Sequence, residues 1–261
     1  MAVQTIQSDG MTMQYFCFGN PQGQPFVILP GVSLRSVMLS ETEIQSYYQA
    51  FSAQFHVFVM ERRSDLPERY SAAEMADDTI RAFDALGLRD IALYGVSQGG
   101  MIAQEIVLKR PGLVRKLVLS STACHVTAQA SVIIAEWRRL AAAHDVPALV
   151  QTFVNNVYTP GYCEKYRDAF AAYANAVTEE DLRRFLIMIS DFDAFDVRAR
   201  LHTVQCPVLV IAGGQDKLFG TAPSEQIAAQ TGGELCIYPG SAHSVYDEEA
   251  DVLNRILKFL S

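Results

Sequence analysis

A serine between two glycines is the first feature of this sequence that could do chemistry. Residues 95–99 read Gly-Val-Ser-Gln-Gly, a G-x-S-x-G spacing with a short apolar run before it and a helical pattern after it. On such a strand-to-helix turn the hydroxyl of Ser97 would be exposed above the sheet as a nucleophile. Gly95 and Gly99 fit this interpretation because a Cβ at either position would collide with the opposing chain. We therefore predict that Ser97 is a nucleophile.

A carboxylate and a histidine follow two later apolar segments. Asp216 comes after the predicted strand 208–211, and His243 comes after the predicted strand 234–238. Because loops that follow parallel strands lie at one edge of a sheet, we expect these two side chains to meet Ser97 there. A serine hydroxyl needs a base to accept its proton, and that base must be oriented by a third group. The three residues therefore predict a catalytic triad in the chain order Ser, Asp, His.

The elements that would position this triad alternate between strand and helix. Strands are predicted at 11–18, 26–29, 55–60, 90–94, 113–119, 208–211 and 234–238, and helices at 43–51, 72–86, 224–230 and 248–260. The middle of the chain instead carries four helical patterns, at 132–144, 147–157, 164–174 and 179–189. We predict an α/β fold with a doubly wound, mostly parallel sheet of about eight strands and an all-helical cap insertion. The expected divisions are a first core part at 1–121, the cap at 122–201 and a second core part at 202–261.

Three motifs make the sequence resemble the α/β-hydrolase fold superfamily over nearly the whole chain outside the insertion. They are the nucleophile elbow at 95–100, the acid loop at 213–216 and the histidine loop at 240–243. The resemblance implies that Ser97 is the nucleophile and that His243 acts as general base and acid. It also implies that Asp216 orients the histidine.

Two positions of the triad have competitors. Some members of this fold carry the acid one strand earlier, but residues 120–123 read Ser-Ser-Thr-Ala, which favours Asp216. Of the other histidines only His125 could approach the pocket, and its place before the insertion suits substrate contact better than the base role. The rest enter a strand or fall on helical and connecting segments: His56, His144 and His202.

The tetrahedral intermediate of acyl transfer needs two N–H donors aimed at its oxyanion. One is predicted to be the amide of Gln98, at the start of a helix, where backbone donors are unpaired. The second is predicted to be the amide of Val32, in the loop after the strand at 26–29. Similar enzymes often show His-Gly in this loop; this chain keeps the glycine as Gly31 and has Pro30 in place of the histidine.

The substrate pocket is predicted from the insertion and from loop arginines. Residues 60–67 lack the glycines of the Asp-x-Arg-Gly-x-Gly-x-Ser motif often found in relatives, so this loop is expected to bound the pocket differently. Its arginines, Arg62 and Arg63, are interpreted as surface residues, although they or Arg35 could recognise an anionic group. Aromatic residues at helical spacing are more often core than substrate wall, so those of the insertion support only a largely apolar acyl or alcohol pocket. The candidate pocket residues are Arg35, His125, Trp137 and Tyr158.

Composition restricts the classes of partner. The net charge of −8 over 261 residues argues against nucleic acid or an anionic membrane as the main partner. Five dispersed cysteines without metal-like spacing are typical of reduced thiols, which favours a cytoplasmic protein. Neither a signal peptide nor a membrane-spanning stretch is visible, and we expect no cofactor and no metal.

The sequence thus predicts a cofactor-independent serine hydrolase that cleaves a small to medium carboxylic ester, thioester or lactone through an acyl-enzyme on Ser97. A serine at the elbow disfavours the aspartate-nucleophile chemistry of haloalkane dehalogenation and epoxide hydrolysis. A lyase, a carbon–carbon hydrolase and a cofactor-free perhydrolase or oxygenase remain alternatives on the same triad, because a fold does not name a reaction. A ligand-binding protein with a relic triad is a further alternative. The partner is expected to be a small molecule, and the oligomeric state stays open.

Overall fold

An eight-stranded sheet forms the centre of the computed structural model, which describes residues 3–261. The spatial order of the strands is β1-β2-β4-β3-β5-β6-β7-β8. The strands β1 and β2 pair antiparallel with their neighbours, and all other pairs are parallel. The strands are β1 (Gln4–Ser8), β2 (Met11–Gly19), β3 (Gln24–Leu29), β4 (Phe55–Arg63), β5 (Ile91–Val96), β6 (Val114–Ser120), β7 (Val208–Gly213) and β8 (Glu234–Tyr238). This sheet confirms the predicted fold class.

Helices connect the strands and cover both faces of the sheet. They are α1 (Glu41–Tyr47), α2 (Ala72–Ala85), α3 (Gln98–Lys109), α4 (Ala128–Ala142), α5 (Val146–Val157), α6 (Pro160–Lys165), α7 (Arg167–Asn175), α8 (Glu179–Met188), α9 (Ala222–Thr231), α10 (Val245–Glu248) and α11 (Asp251–Leu260). The central strand β5 is buried along its whole length, as expected for a parallel strand covered on both sides. Leu93 packs on the face that α2 and α3 cover, whereas Tyr94 packs on the face that α11 covers.

The five helices α4 to α8, here called the helical insertion, lie between β6 and β7. Four of these helices begin at a Thr or Asp whose side chain accepts a hydrogen bond from a backbone N–H of the first turn, a typical N-cap: Thr127, Asp145, Thr159 and Thr178. The single helix expected at 164–174 is instead two short helices, α6 and α7, which meet at Tyr166. The division of the chain at 122 and 201 stays a prediction.

Further elements differ from the expectation, and the helix expected at 248–260 begins only at Asp251, as α11. The strand expected to end at Met60 continues to Arg63, so Arg62 and Arg63 belong to β4 rather than to a loop. The edge strand β1 lacks a counterpart in the sequence analysis. Within residues 3–261, no helix has the length and apolar character needed to cross a bilayer.

Candidate active site

Ser97 lies in a sharp turn between β5 and α3. Its backbone has φ 51° and ψ −118°, a region that residues other than glycine rarely adopt. The turn is tight enough to require glycines on both sides. A Cβ added at Gly95 would lie 2.5 Å from the carbonyl oxygen of Gly99, and one added at Gly99 would lie 2.0 Å from that of Leu29. The geometry is that of the nucleophile elbow predicted from the sequence.

Thr122 supports the elbow from the end of β6, a contribution the sequence analysis missed. Its hydroxyl donates to the carbonyl oxygen of Ser97 (2.7 Å), and the Ser97 amide donates to the carbonyl oxygen of Ser120 (2.9 Å). Thr122 also packs against Gly100, where a Cβ would approach its side chain to 2.6 Å. The strained turn is therefore fixed by the neighbouring strand end.

The side chains of Ser97, His243 and Asp216 form one hydrogen-bonded chain. Nε2 of His243 lies 2.9 Å from Oγ of Ser97, and Nδ1 lies 2.8 Å from Oδ2 of Asp216. The other carboxylate oxygen of Asp216 accepts from the amides of Leu218 (2.8 Å) and Phe219 (3.0 Å). An acceptor-only carboxylate assigns the proton to Nδ1, which leaves Nε2 to accept from the serine hydroxyl. All three side chains are buried.

The loops that carry Asp216 and His243 are held against each other at the edge of the sheet. A Cβ at Gly213 would lie 1.9 Å from the carbonyl oxygen of Ala242, so the two chains can meet only where a side chain is absent. The amide of Gln215 donates to the carbonyl oxygen of Ser241 (2.8 Å). These backbone contacts set the spacing between the carboxylate and the imidazole.

The two predicted oxyanion donors flank the serine. The loop after β3 passes directly over it, because a Cβ at Gly31 would lie 3.2 Å from the Cβ of Ser97. Within the described chain, residues 3–261, neither the amide of Val32 nor that of Gln98 donates a hydrogen bond to another protein group. Gln98 is the first residue of α3, where the helix dipole favours negative charge. Both amides stay candidates for the oxyanion hole.

Arg62 is buried beside these donors, so its interpretation as a surface residue is wrong. The side chain of Arg62 extends from β4, where its Nη2 donates to the carbonyl oxygen of Pro30 (2.7 Å) and to Oε1 of Gln98 (3.0 Å). Burial lowers the pKa of the Arg62 guanidinium to about 10, which leaves it charged at neutral pH. Arg63 is half-buried rather than fully at the surface, and it pairs with Asp65 (2.5 Å) and with the buried Asp78 (3.4 Å).

A cavity of about 400 Å³ opens at Ser97 and His243. Trp137 and Tyr158, two of the candidate pocket residues, line it. Most of the apolar side chains of the insertion that complete the wall could not be identified from the sequence, because helical periodicity alone cannot separate core from pocket. They are Val150, Phe153, Val154, Val157, Ala169, Phe170 and Tyr173.

The other two candidate pocket residues lie outside this wall. The backbone amide of Arg35 donates to the hydroxyl of Tyr173 (3.1 Å), and its guanidinium approaches Asp181 (3.7 Å). His125 lies beside the Sγ of Cys124 (3.6 Å) and pairs through its backbone with Asp196. The structure therefore does not bring Arg35 or His125 to the serine, because partners from the insertion and from the segment that follows it hold them elsewhere.

Comparisons with known proteins find similar sequences over most of this chain. A family model described as Hydrolase_4, serine aminopeptidase S33, matches residues 68–250. A protein of Agrobacterium fabrum, provisionally named carbamate hydrolase RutD, is 28% identical over 222 residues, which cover 81% of this chain and 85% of that protein.

Solved structures share the fold at low sequence identity. MGS-M2, an α/β-hydrolase enzyme from a Medee basin deep-sea metagenome, superimposes with a TM-score of 0.88 at 18% identity and covers 98% of this chain and 97% of its own. The enol-lactonase from Burkholderia xenovorans superimposes with a TM-score of 0.86 at 17% identity and covers 98% of this chain and 99% of its own. With the family match over 68–250, these findings show that the chain belongs to the serine aminopeptidase S33 family of hydrolases and is an α/β-hydrolase enzyme.

Proposed function

We propose that this hydrolase cleaves small to medium carboxylic esters through an acyl-enzyme on Ser97, without a cofactor. The observation that carries the proposal is the chain of short hydrogen bonds from Ser97 through His243 to Asp216, which opens into a cavity. A base within hydrogen-bond reach of a serine, itself oriented by a carboxylate, is the arrangement that activates a serine nucleophile.

The proposed reaction has two halves. Nε2 of His243 takes the hydroxyl proton as Oγ of Ser97 bonds to the ester carbonyl carbon, and the carbonyl oxygen becomes an oxyanion held by the amides of Val32 and Gln98. The same proton then passes to the leaving alcohol as its bond to carbon breaks, which leaves an acylated serine. Water, deprotonated by His243, attacks the acyl carbon, and the proton returns to Oγ as the carboxylic acid leaves.

The cavity supports a substrate with an apolar acyl or alcohol part. Apart from the serine and histidine, its wall consists mainly of aliphatic and aromatic side chains from the helical insertion. The volume of about 400 Å³ lies at the small end of the range for ligand pockets. A small-molecule ester, thioester or lactone fits this environment better than a polymer.

The first prediction tests the nucleophile. An organophosphonate probe should form a covalent adduct on Ser97 alone, because within residues 3–261 this is the only serine hydroxyl hydrogen-bonded to a histidine that can take its proton. Intact-mass measurement followed by peptide mapping checks the site. An adduct on another serine, or none on the folded chain, would contradict the proposed mechanism.

The second prediction tests the cavity as the acyl pocket. Val154 lies in the cavity wall on α5, and Val154→Phe should fill part of the space. We expect kcat/KM for the longest accepted p-nitrophenyl ester to fall at least about tenfold, while that for the acetate changes little, because lost apolar contacts affect only the longer chain. Val132→Phe is the control, since Val132 is 71% exposed on α4. Equal loss on all chain lengths would assign Val154 to stability instead.

A carbamate is the second candidate substrate class. The relative from Agrobacterium fabrum bears the name of a carbamate hydrolase and matches over 81% of this chain. Attack of Ser97 on a carbamate carbonyl would use the same groups and would leave a carbamoyl-enzyme. A side-by-side assay of p-nitrophenyl esters and p-nitrophenyl carbamates decides between them. Turnover of the carbamates with a higher kcat/KM than every ester would select the second class.

A further inference from the structure

A single guanidinium group joins the two halves of the predicted oxyanion hole. Nη2 of Arg62 bonds to the carbonyl oxygen of Pro30 (2.7 Å), two residues before Val32, and to the side chain of Gln98 (3.0 Å). The first segment is the loop after β3 and the second is the first turn of α3, and Pro30 and Gln98 are 68 residues apart in the chain. Among the described residues, no other side chain contacts both segments through hydrogen bonds.

The hydrogen bonds of the buried Arg62 side chain are not those that would stabilise the folded protein best. The side chain is 5% exposed, and its Nε has no partner among residues 3–261. No carboxylate within the described chain touches the guanidinium, since its acceptors are a carbonyl and an amide oxygen. A buried charge without a direct counterion is costly. Its position therefore points to a role in the site.

The neighbouring carboxylate of Glu61 does not touch the guanidinium, but it stabilises the charge through space and also fixes the backbone of Arg62. Oε1 of Glu61 accepts from the amide of Arg62 (2.8 Å) and from Nη2 of Arg184 on α8 (2.6 Å). Oε2 of Glu61 accepts from the hydroxyl of Ser36 (2.7 Å). The strand end that carries Arg62 is thus held on two sides, which keeps the guanidinium in one place.

Gln98 transmits this restraint to the elbow. Its Oε1 accepts from Arg62, and its Nε2 donates to the carbonyl oxygen of Met188 at the end of α8 (2.6 Å). The side chain is 3% exposed and bonded at both ends. Because the same residue supplies the backbone amide that faces the oxyanion, its rotation about α3 would misalign that donor.

We propose that Arg62 is a positioning residue that sets the distance between the Val32 and Gln98 amides, an inference that rests on the proposed function. The guanidinium exchanges no proton and touches no substrate. It holds the loop after β3 and the first turn of α3 at the separation an oxyanion needs, and its positive charge adds to the favourable potential there. The benefit is expressed in the transition state and not in substrate binding.

The test compares Arg62→Met with Arg63→Met, its neighbour on the same strand. Removing an oxyanion donor outright costs 10²–10³ in kcat, so a displaced donor should lower kcat of Arg62→Met by about tenfold to 10²-fold with KM little changed. The inhibition constant of an alkyl trifluoromethyl ketone, whose adduct with Ser97 carries an oxyanion, should rise by the same factor. The inhibition constant of the neutral alcohol product, which carries no negative charge, should stay as in the wild type. Arg63→Met should leave kcat, KM and both inhibition constants within about threefold.

Two further variants keep the proposal falsifiable if Arg62→Met fails to fold. Gln98→Met retains the backbone amide but removes the acceptor, and it should show the same signature. Arg62→Ala should regain kcat on addition of ethylguanidinium, at concentrations well below those that unfold the protein, and not on addition of sodium chloride.

The possible results separate this inference from the proposed function. A kcat loss without weaker trifluoromethyl ketone binding, a change in KM alone, or an equal effect of Arg63→Met would overturn the role of Arg62. A wild-type chain that neither labels at Ser97 nor hydrolyses any ester would overturn the proposed function instead.

Discussion

Ser97→Ala should lower kcat on the best ester by about 10⁶-fold, the loss seen when the nucleophile is removed from a triad that acts as a unit. The hydroxyl supplies the atom that bonds to the acyl carbon, and nothing else in the hydrogen-bonded chain of His243 and Asp216 can replace it. The fold should persist, because alanine meets the same positive φ as the serine it replaces. Steady-state kinetics with circular dichroism of the variant check both statements.

Ser33→Ala provides the control for this prediction. Ser33 also lines the cavity, but its hydroxyl donates to the carbonyl oxygen of Arg35 (2.7 Å) and does not face the histidine. Its loss should reduce kcat about tenfold or less. Substrate binding alone leaves some residual catalysis in a variant that lacks the nucleophile. A Ser97→Ala enzyme that keeps more than about 1% of wild-type activity would exceed this residual level and would show that Ser97 is not the nucleophile.

Asp216→Asn should lower kcat by roughly 10²–10⁴ while the fold persists. The carboxylate accepts Nδ1–H of His243 and stabilises the imidazolium that forms when the serine loses its proton. Asparagine preserves the shape but removes the charge, and its NH₂ can hold the imidazole in the wrong tautomer. The measurement is kcat on the best screened ester, with the thermal midpoint of unfolding recorded for each variant.

Asp193→Asn is the matched control. Asp193 is held by Arg138 (2.6 Å) and by the hydroxyl of Ser131 (2.8 Å), away from the imidazole. The kcat of Asp193→Asn should fall by about tenfold or less, mainly because α4 docks less well without this ion pair. If Asp216→Asn stays within about threefold of the wild type while Asp193→Asn loses most activity, the acid has been assigned to the wrong carboxylate.

The triad geometry could be anticipated from the sequence because each member follows a strand that the sequence marks clearly. Apolar runs identify β5, β7 and β8, and the rule that parallel strands end at one sheet edge then brings Ser97, Asp216 and His243 together. The glycines of the elbow predict the same nucleophile from local sterics, because a Cβ at Gly95 or Gly99 would collide with the backbone. At the triad, the local sequence pattern and the topology of the sheet therefore lead to the same prediction.

Long-range polar contacts could not be anticipated in this way. Arg62 bonds to partners 32 and 36 positions away in the chain, and no periodicity marks such a pair. The charge of an arginine predicts exposure, so a buried one appears only when its partners are known. The strand β1 was missed for another reason, since only Ile6 of its five residues is buried and an edge strand carries too short an alternation to recognise.

Trp137 makes the cavity observable without a label. It is the only tryptophan in the chain, it lines the cavity and it packs on Phe153 with ring centroids 4.6 Å apart. All indole fluorescence therefore arises from a single environment within the helical insertion. An apolar ligand that enters the space should change the emission maximum or intensity directly, so the Ser97→Ala protein can be titrated with uncleaved esters to rank their affinities by optical spectroscopy.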